Sequence, residues 1–272
     1  MGWKVNFRFE EIHSSAQLLP HKASILNLFQ EAFGKTLDHE VWDWAYLRNP
    51  AGPAFVSLCF DGPVLAGHYA CIPLSLESSV EKINCMLSMT TMVEKQYQGM
   101  GLFTNQAQRV YTYAQQKGVK IVLGFPNQNS APGFTKRLNW KINNRGTVIK
   151  VSGREIKDNQ DIQHALFYGS DIKLATGQDY LAWRLAKPNS HYIKISDNLI
   201  LKDFETTKDI VLINQNGVNE LDDHTQYSVF VSYPIINSDC SNSFDYMFGA
   251  RSFDSDIDTS RIKVDLLMSD VF

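Results

Sequence analysis

A chain of 272 residues has room for one large domain or two of moderate size, each with an ample core. With 44% apolar and 12% aromatic residues it reads as an ordinary soluble globular protein. A net charge of −3 without any Lys/Arg cluster gives nucleic acid no footing, and no stretch approaches the roughly twenty apolar residues of a membrane span.

Trp3 to Phe9 alternates like a strand and lacks the apolar run of a signal peptide. Residues 20 to 33 place Ile25, Leu28, Phe29 and Phe33 at helical spacing, with Gly34 as the stop. A second short helix starts at the Asp38 cap, carries Trp42 to Tyr46 and ends before Pro50, which pushes Asn49 out of helical geometry. Ala54 to Phe60 and Val64 to Pro73 read as a hairpin turning at Asp61-Gly62. The apolar strand Met86 to Val93 follows, then a loop holding Gly99 and Gly101, then a helix whose stripe is Phe103, Ala107, Val110 and Ala114. Val119 to Phe125 suits a buried strand, and a short helix runs through Phe134 and Leu138. Gly153 to Asp161 is charged and polar, as a linker would be. Beyond it, His191 to Ile195, Leu199 to Lys202, Ile210 to Asn214, Gln226 to Tyr233 and Arg261 to Met268 read as strands.

The four cysteines, Cys59, Cys71, Cys85 and Cys240, form no Cys-x-x-Cys pair, and three lie in apolar strand-like runs. Buried thiols are expected rather than disulfides or a metal site, in a reduced cytoplasmic protein.

The stretch around which the chain is organised is the strand ending at Val93, the glycine loop and the helix after it. Free N–H groups at a helix start hold anions, and glycines let a phosphate approach the backbone. A P-loop needs Gly-Lys-Ser/Thr, whereas Gly101 precedes Leu102 and Phe103; a dinucleotide fold needs an acidic residue that does not come until Glu155. Gln96-Tyr97-Gln98-Gly99-Met100-Gly101-Leu102-Phe103 resembles instead the acyl-coenzyme A loop of the GNAT superfamily, Gln/Arg-x-x-Gly-x-Gly/Ala. Gln96, Gly99 and Gly101 fit the pattern literally. Ending the strand at Val93 favours Gln98, Gly101 and Phe103, with Phe103 in place of the last small residue.

The element order matches that family over about residues 3 to 150. The resemblance implies an α/β (α+β) GNAT fold with a mixed, centrally splayed sheet and acetyl-CoA as cofactor. Residues Met92, Val93, Gln98, Gly99, Met100, Gly101, Leu102, Phe103 and Asn129 would contact that cofactor. The family's tyrosine, which protonates the departing thiolate, is replaced by Thr135, so the general acid is unassigned. His68 and Glu94 are the candidates for general base, beside a water relay without a side-chain base.

Asp179 to Pro188 echoes Trp44 to Pro50, which suggests two GNAT units, 1–150 and a degenerate 151–272 that helps to form the acceptor site. Trp44, Tyr46, Arg48, Trp183 and Arg184 are candidates for holding the acceptor by stacking or ion pairing; core packing is the alternative. A looser resemblance to bacterial proteins of surface polysaccharide synthesis implies a dTDP- or UDP-linked amino deoxy sugar as acceptor. The expected partner is thus a small molecule, not nucleic acid or membrane, and a homodimer is left open. Two rivals stand: a Fem-type tandem peptidyl transferase, which would want a basic groove for tRNA and against which the net charge with no Lys/Arg cluster argues, and a non-catalytic acyl-CoA binder.

Overall fold

A computed structural model describes residues 6–143, 146–167, 171–204, 207–232 and 244–269; Trp3 and Cys240 lie outside them. In chain order the elements begin β1 (Phe7–Ile12), α1 (Ser15–Leu18), α2 (Lys22–Phe33), α3 (His39–Leu47), β2 (Phe55–Asp61), β3 (Val64–Glu77) and β4 (Lys82–Val93). Then come α4 (Leu102–Gln116), β5 (Ile121–Gly124), α5 (Ala131–Leu138), β6 (Lys141–Asn143) and β7 (Gly146–Ser152). The remainder is α6 (Gly153–Asp158), α7 (Gln160–Phe167), β8 (Lys173–Leu174), α8 (Gln178–Leu185), β9 (Tyr192–Lys194), β10 (Leu199–Phe204), β11 (Thr207–Ile213), β12 (Gln226–Ser232), β13 (Phe244–Asp245), β14 (Phe248–Ser252) and α9 (Leu266–Ser269).

The local signals act as expected through residue 138. Asp38 caps α3 by accepting from Glu40 N–H, and β2 turns into β3 through Gly62. Two segments differ. Residues 153 to 161 are helical, not a linker: Ser152 and Glu155 form a reciprocal capping box, with Ser152 N–H donating to Glu155 Oε2 at 2.6 Å. Gly153 packs so closely that a Cβ there would lie 2.1 Å from Asp222 O. Arg261 to Met268, expected as a strand, is instead the end of a 3₁₀ turn (Thr259–Arg261), an irregular stretch and the start of α9.

Two mixed sheets result, ordered β1-β2-β3-β4-β5-β14-β6 and β13-β7-β12-β11-β10-β9, with β8 added beside β3. Their pairings match step for step. In the first, β2–β3 and β3–β4 are antiparallel, β4–β5 is parallel, and β5–β14 and β14–β6 are antiparallel. The second repeats this with β9–β10 and β10–β11 antiparallel, β11–β12 parallel, and β12–β7 and β7–β13 antiparallel. The chain is therefore an internal duplication in which one strand of each sheet is exchanged. β7 follows β6 in sequence but joins the second sheet, and β14 follows β13 but joins the first. A division at residue 150 consequently separates β14 from the sheet it completes.

The halves meet through equivalent helices. Trp44 of α3 and Trp183 of α8 stack with centroids 4.5 Å apart and planes 8° from parallel. Each indole N–H donates to the other residue's carbonyl, at 2.7 Å from Trp44 and 2.9 Å from Trp183. That reciprocity is the local two-fold which an echoed sequence predicts. The main core runs between the sheets, joining Ile72, Leu87 and Leu123 to Ile200, Val211 and Leu267, while a second cluster including Leu199, Leu201, Ile210 and Val229 covers the far face of the second sheet.

Candidate active site

The strands β4 and β5 pair in parallel only over Cys85↔Ile121, Met86↔Val122 and Leu87↔Leu123. Beyond Leu87, β4 continues to Val93 while β5 ends at Gly124. The β4 edge from Ser88 onward thus has no strand of β5 paired to it, and Ser88, Thr90, Thr91 and Val93 are partly exposed. An open strand edge offers main-chain donors and acceptors at regular spacing, suited to an extended chain bearing amides.

At the outer end of that edge the chain makes a 3₁₀ turn (Lys95–Tyr97) and passes Gly99 and Gly101, with φ of 81° and 80°. L-residues with a Cβ pay roughly 1–2 kcal/mol for such left-handed φ, so the two glycines set the loop's path. The first i→i−4 bond of α4 is Asn105 N–H to Gly101 O, which leaves the N–H groups of Leu102, Phe103 and Thr104 without a partner inside the helix. Loop and strand edge together fit a ligand with a diphosphate at one end and an amide-bearing arm.

A bulge bends β4 along this edge. Thr90 and Thr91 together oppose Tyr69, and Thr90 takes φ of 44°, an unusual conformation for a β-branched residue. Two side chains pin it: Tyr46 OH bonds Thr90 Oγ1, and His68 Nδ1–H donates to Thr90 O at 2.8 Å. Strain that persists because its surroundings over-determine it is characteristic of functional sites.

His68 is therefore not placed as a base. It is fully buried, burial lowers its pKa to about 4, and the Nδ1–H tautomer leaves Nε2 an acceptor without a partner. Glu94 caps the 3₁₀ turn by accepting from Gln96 N–H, while its Oε2 is buried and unpartnered. It sits six residues past Ser88, about 20 Å along the strand, at the loop end of the cleft.

Of the nine residues expected at the cofactor, eight line the strand end and loop. Met92 turns its side chain into the core, so only its backbone faces the cleft edge. Gln98 Nε2 donates to Val93 O at 3.3 Å. Phe103, standing where the pattern has a small residue, wedges between Tyr69, Phe134 and Gly133; a Cβ on Gly133 would lie 3.2 Å from its ring, so Gly133 supplies the space. Asn129 is exposed, and the adjacent turn is held by Asn127, whose Oδ1 accepts from the N–H groups of Asn129 and Ser130. Thr135 Oγ1 bonds back to Ala131 O along its own helix, at 3.1 Å.

The expected acceptor residues are mostly committed elsewhere. Trp44 and Trp183 are 2% and 8% exposed in their mutual stack, and Tyr46 is buried on the bulge. Arg184, 1% exposed, donates from Nε to Leu267 O at 2.9 Å and anchors α9 beneath Trp44. Arg48 is exposed and paired with Glu40. Groups that cannot reach solvent cannot touch an acceptor, so the core alternative holds for Trp44, Tyr46, Trp183 and Arg184. Cys59, Cys71 and Cys85 are buried free thiols as expected.

Residues 21–143 match the family model of the GNAT acetyltransferase domain. The chain carries a GNAT domain. A GNAT acetyltransferase domain draws its acyl group from acetyl-CoA, and the match covers the first half of this chain. A GCN5-related N-acetyltransferase from Kribbella flavida superposes with a TM-score of 0.64 at 9% identity, over 91% of this chain and 71% of that one. Another from Anabaena variabilis gives 0.57 at 12%, over 90% and 73%. Eis1 from Mycobacterium abscessus gives 0.55 at 10%, over 91% and 73%. At such identities the likeness is one of fold, and it extends over both halves. A comparison with curated proteins gave no match. Among the described residues no helix is long and apolar enough to cross a membrane, and no cluster of His, Cys, Asp and Glu could hold a metal.

Proposed function

We propose that this GNAT domain transfers acetyl from acetyl-CoA to a primary amine by direct attack in a ternary complex, in the cytoplasm. The observation that carries the reading is the open β4 edge from Ser88 to Val93 leading to the unpaired amides at the start of α4. The diphosphate takes the amides of Leu102, Phe103 and Thr104, and the pantetheine arm pairs with the strand edge as a further strand. A thioester so positioned reacts with a nearby neutral amine without a dedicated side-chain base, consistent with His68 being buried and Glu94 distant.

The looser sequence resemblance supports a nucleotide-linked amino deoxy sugar as the first acceptor class to test. Release of free coenzyme A thiol should require such a sugar, and the dTDP- and UDP-linked forms should exceed simple alkyl amines and lysine peptides in kcat/KM. A preference for the peptides would overturn the sugar assignment. Absence of any heat with acetyl-CoA or coenzyme A in calorimetry would overturn the donor.

A further inference from the structure

The α4 side of the first sheet is not covered along its whole length. α4 ends at Gln116, whereas the β3–β4 hairpin beneath it runs on to Glu77 and Lys82. Pro73, Ser75, Lys82 and Asn84 alternate with core residues there and lie on the same side as Tyr69, Cys71 and Met86, which pack under α4. Over this strip lies a cavity of about 950 Å³, within the roughly 300–1,000 Å³ of small-molecule sites. No residue of the glycine loop or of the unpaired β4 edge lines it.

Both halves of the chain build it. One wall is the end of α4, with Tyr113 and Lys117; another is the link from α3 to β2, with Pro50, Pro53 and Phe55; a third is the approach to α8, with Ala175 and Asp179. Two bonds fasten the last two walls to neighbouring residues of β3. Asn49 Nδ2 donates to Pro73 O at 3.1 Å, and Ala175 N–H donates to Ser75 O at 2.9 Å. The cavity is thus held open by the fold itself, at a junction of two structural units where ligand sites are common.

The charge on its lining is unbalanced. Glu77 stands opposite Lys82 in the hairpin, but its Oε1 pairs with Lys173 Nζ at 3.3 Å. Among the described residues no carboxylate lies within ion-pair distance of Lys82 or Lys117. Lys117 rests its ammonium 5.4 Å from the centre of the Tyr113 ring, and His13 packs on the same tyrosine with centroids 4.0 Å apart. Asp179, the other acid on the lining, lies in the first turn of α8, where the helix dipole favours its charge. The prolines and Phe55 add apolar surface, and Ser75 and Asn84 add hydrogen-bonding groups.

We propose that this cavity binds a second small molecule, separate from the acyl donor: an amphipathic organic acid. Its carboxylate, sulfonate or phosphate is held by Lys82 and Lys117, and its apolar body rests on the prolines and Phe55. The two sites are well apart. Lys117 is fifteen residues past Leu102, about 22 Å along α4 from the free amides. On β4 the fully buried Met86 stands between Asn84 and Ser88. The proposal does not depend on the acyl-CoA reading.

The probe is 8-anilinonaphthalene-1-sulfonate, an aromatic sulfonate whose fluorescence rises as it leaves water. The full chain at low ionic strength should bind one equivalent saturably, and the affinity should fall as salt is added. Lys82→Glu and Lys117→Glu change exposed residues, which the fold should tolerate, and circular dichroism checks that it does. Each should weaken binding about fivefold, while Asp179→Asn should strengthen it about twofold. Lys150→Glu, an equal change of charge on the second sheet, should leave the affinity as it was. Saturating coenzyme A should not displace the probe. Absence of saturable binding, or an affinity that both cavity lysine variants leave unchanged, overturns the proposal. So does displacement by coenzyme A, which would put the probe in the donor site. Failure of coenzyme A itself to bind counts against the donor reading instead, and the lysine variants still decide for the cavity.

Discussion

The burial of His68 has a consequence for acid stability that can be worked through. In the native protein its ring is enclosed, and its pKa falls from 6.5 to about 4 through desolvation, opposed by the bond to Thr90 O. The unfolded chain takes up a proton near 6.5, which the folded chain refuses until about 4. Stability from this group is therefore complete above pH 6.5 and is lost as pH falls toward 4. A shift of about 2.5 units at 1.36 kcal/mol per unit gives about 3 kcal/mol at the acid end. His68→Asn retains a donor for Thr90 O and cannot titrate. It should cost about 1–3 kcal/mol at pH 7 for the lost ring, and the deficit should shrink by about 3 kcal/mol by pH 4. Urea denaturation of both proteins from pH 7.5 to pH 4 measures the difference. His21, whose pKa is lowered by partial burial and Arg8, is present in both and cancels. A difference that stays constant across the range would refute the reasoning.

Further expectations concern the interface, the exchange and the loop. Trp44→Phe and Trp183→Phe should each cost about 1–3 kcal/mol by leaving a buried carbonyl unpaired; the double mutant should fall short of their sum by about 0.5–1.5 kcal/mol, and strict additivity in denaturation would mean the stack is not a unit. A fragment of residues 1–150 lacks β14 and leaves the outer edge of β5 uncovered, so it should aggregate; a monodisperse fragment with the melting temperature of the whole chain would count against the exchange. Gly101→Ala forces a Cβ onto φ of 80° and should cost about 1–2 kcal/mol of stability and at least tenfold in coenzyme A affinity by calorimetry; undiminished affinity would detach the loop from the donor.

What the sequence disclosed was local. Asp38 before α3, Gly62 in the hairpin and the Val93-to-Leu102 junction each depend on neighbours within a few residues, and each took the expected form. Ser152-x-x-Glu155 was equally local, but its polar helix reads as a linker when only hydrophobic runs are sought. What stayed hidden depends on distant partners. For β7 and β14, alternation states at most that one face is buried without naming the neighbouring strand. His68 and Tyr69 illustrate the same limit at the site. Period-two alternation sends them to opposite faces; it does not tell which face carries the α4 side chemistry. His68 faces Tyr46 of α3, and Tyr69 faces Tyr111 of α4. The absent family tyrosine was visible at Thr135.

The duplication also fixes how many donors one chain can hold. The second sheet repeats the parallel step, β11 to β12, yet the crossover there contains only a 3₁₀ turn, Asn216–Glu220, where the first half has the fifteen-residue α4. A 3₁₀ turn this short has no aligned stack of peptide dipoles and few free amides to offer a diphosphate. Its one glycine, Gly217, is used for packing: a Cβ there would lie 2.4 Å from Asn198 O. The parallel pairing there ends at Asp209↔Ser228, and the β11 residues beyond it, Ile210, Val211 and Ile213, are buried. The second half therefore kept the sheet and lost the anion site. Titration of the full chain with coenzyme A should saturate at one equivalent, and Gly101→Ala should weaken that single event at least tenfold. A second, independent equivalent unaffected by Gly101→Ala would show that the degenerate half had retained a donor site of its own.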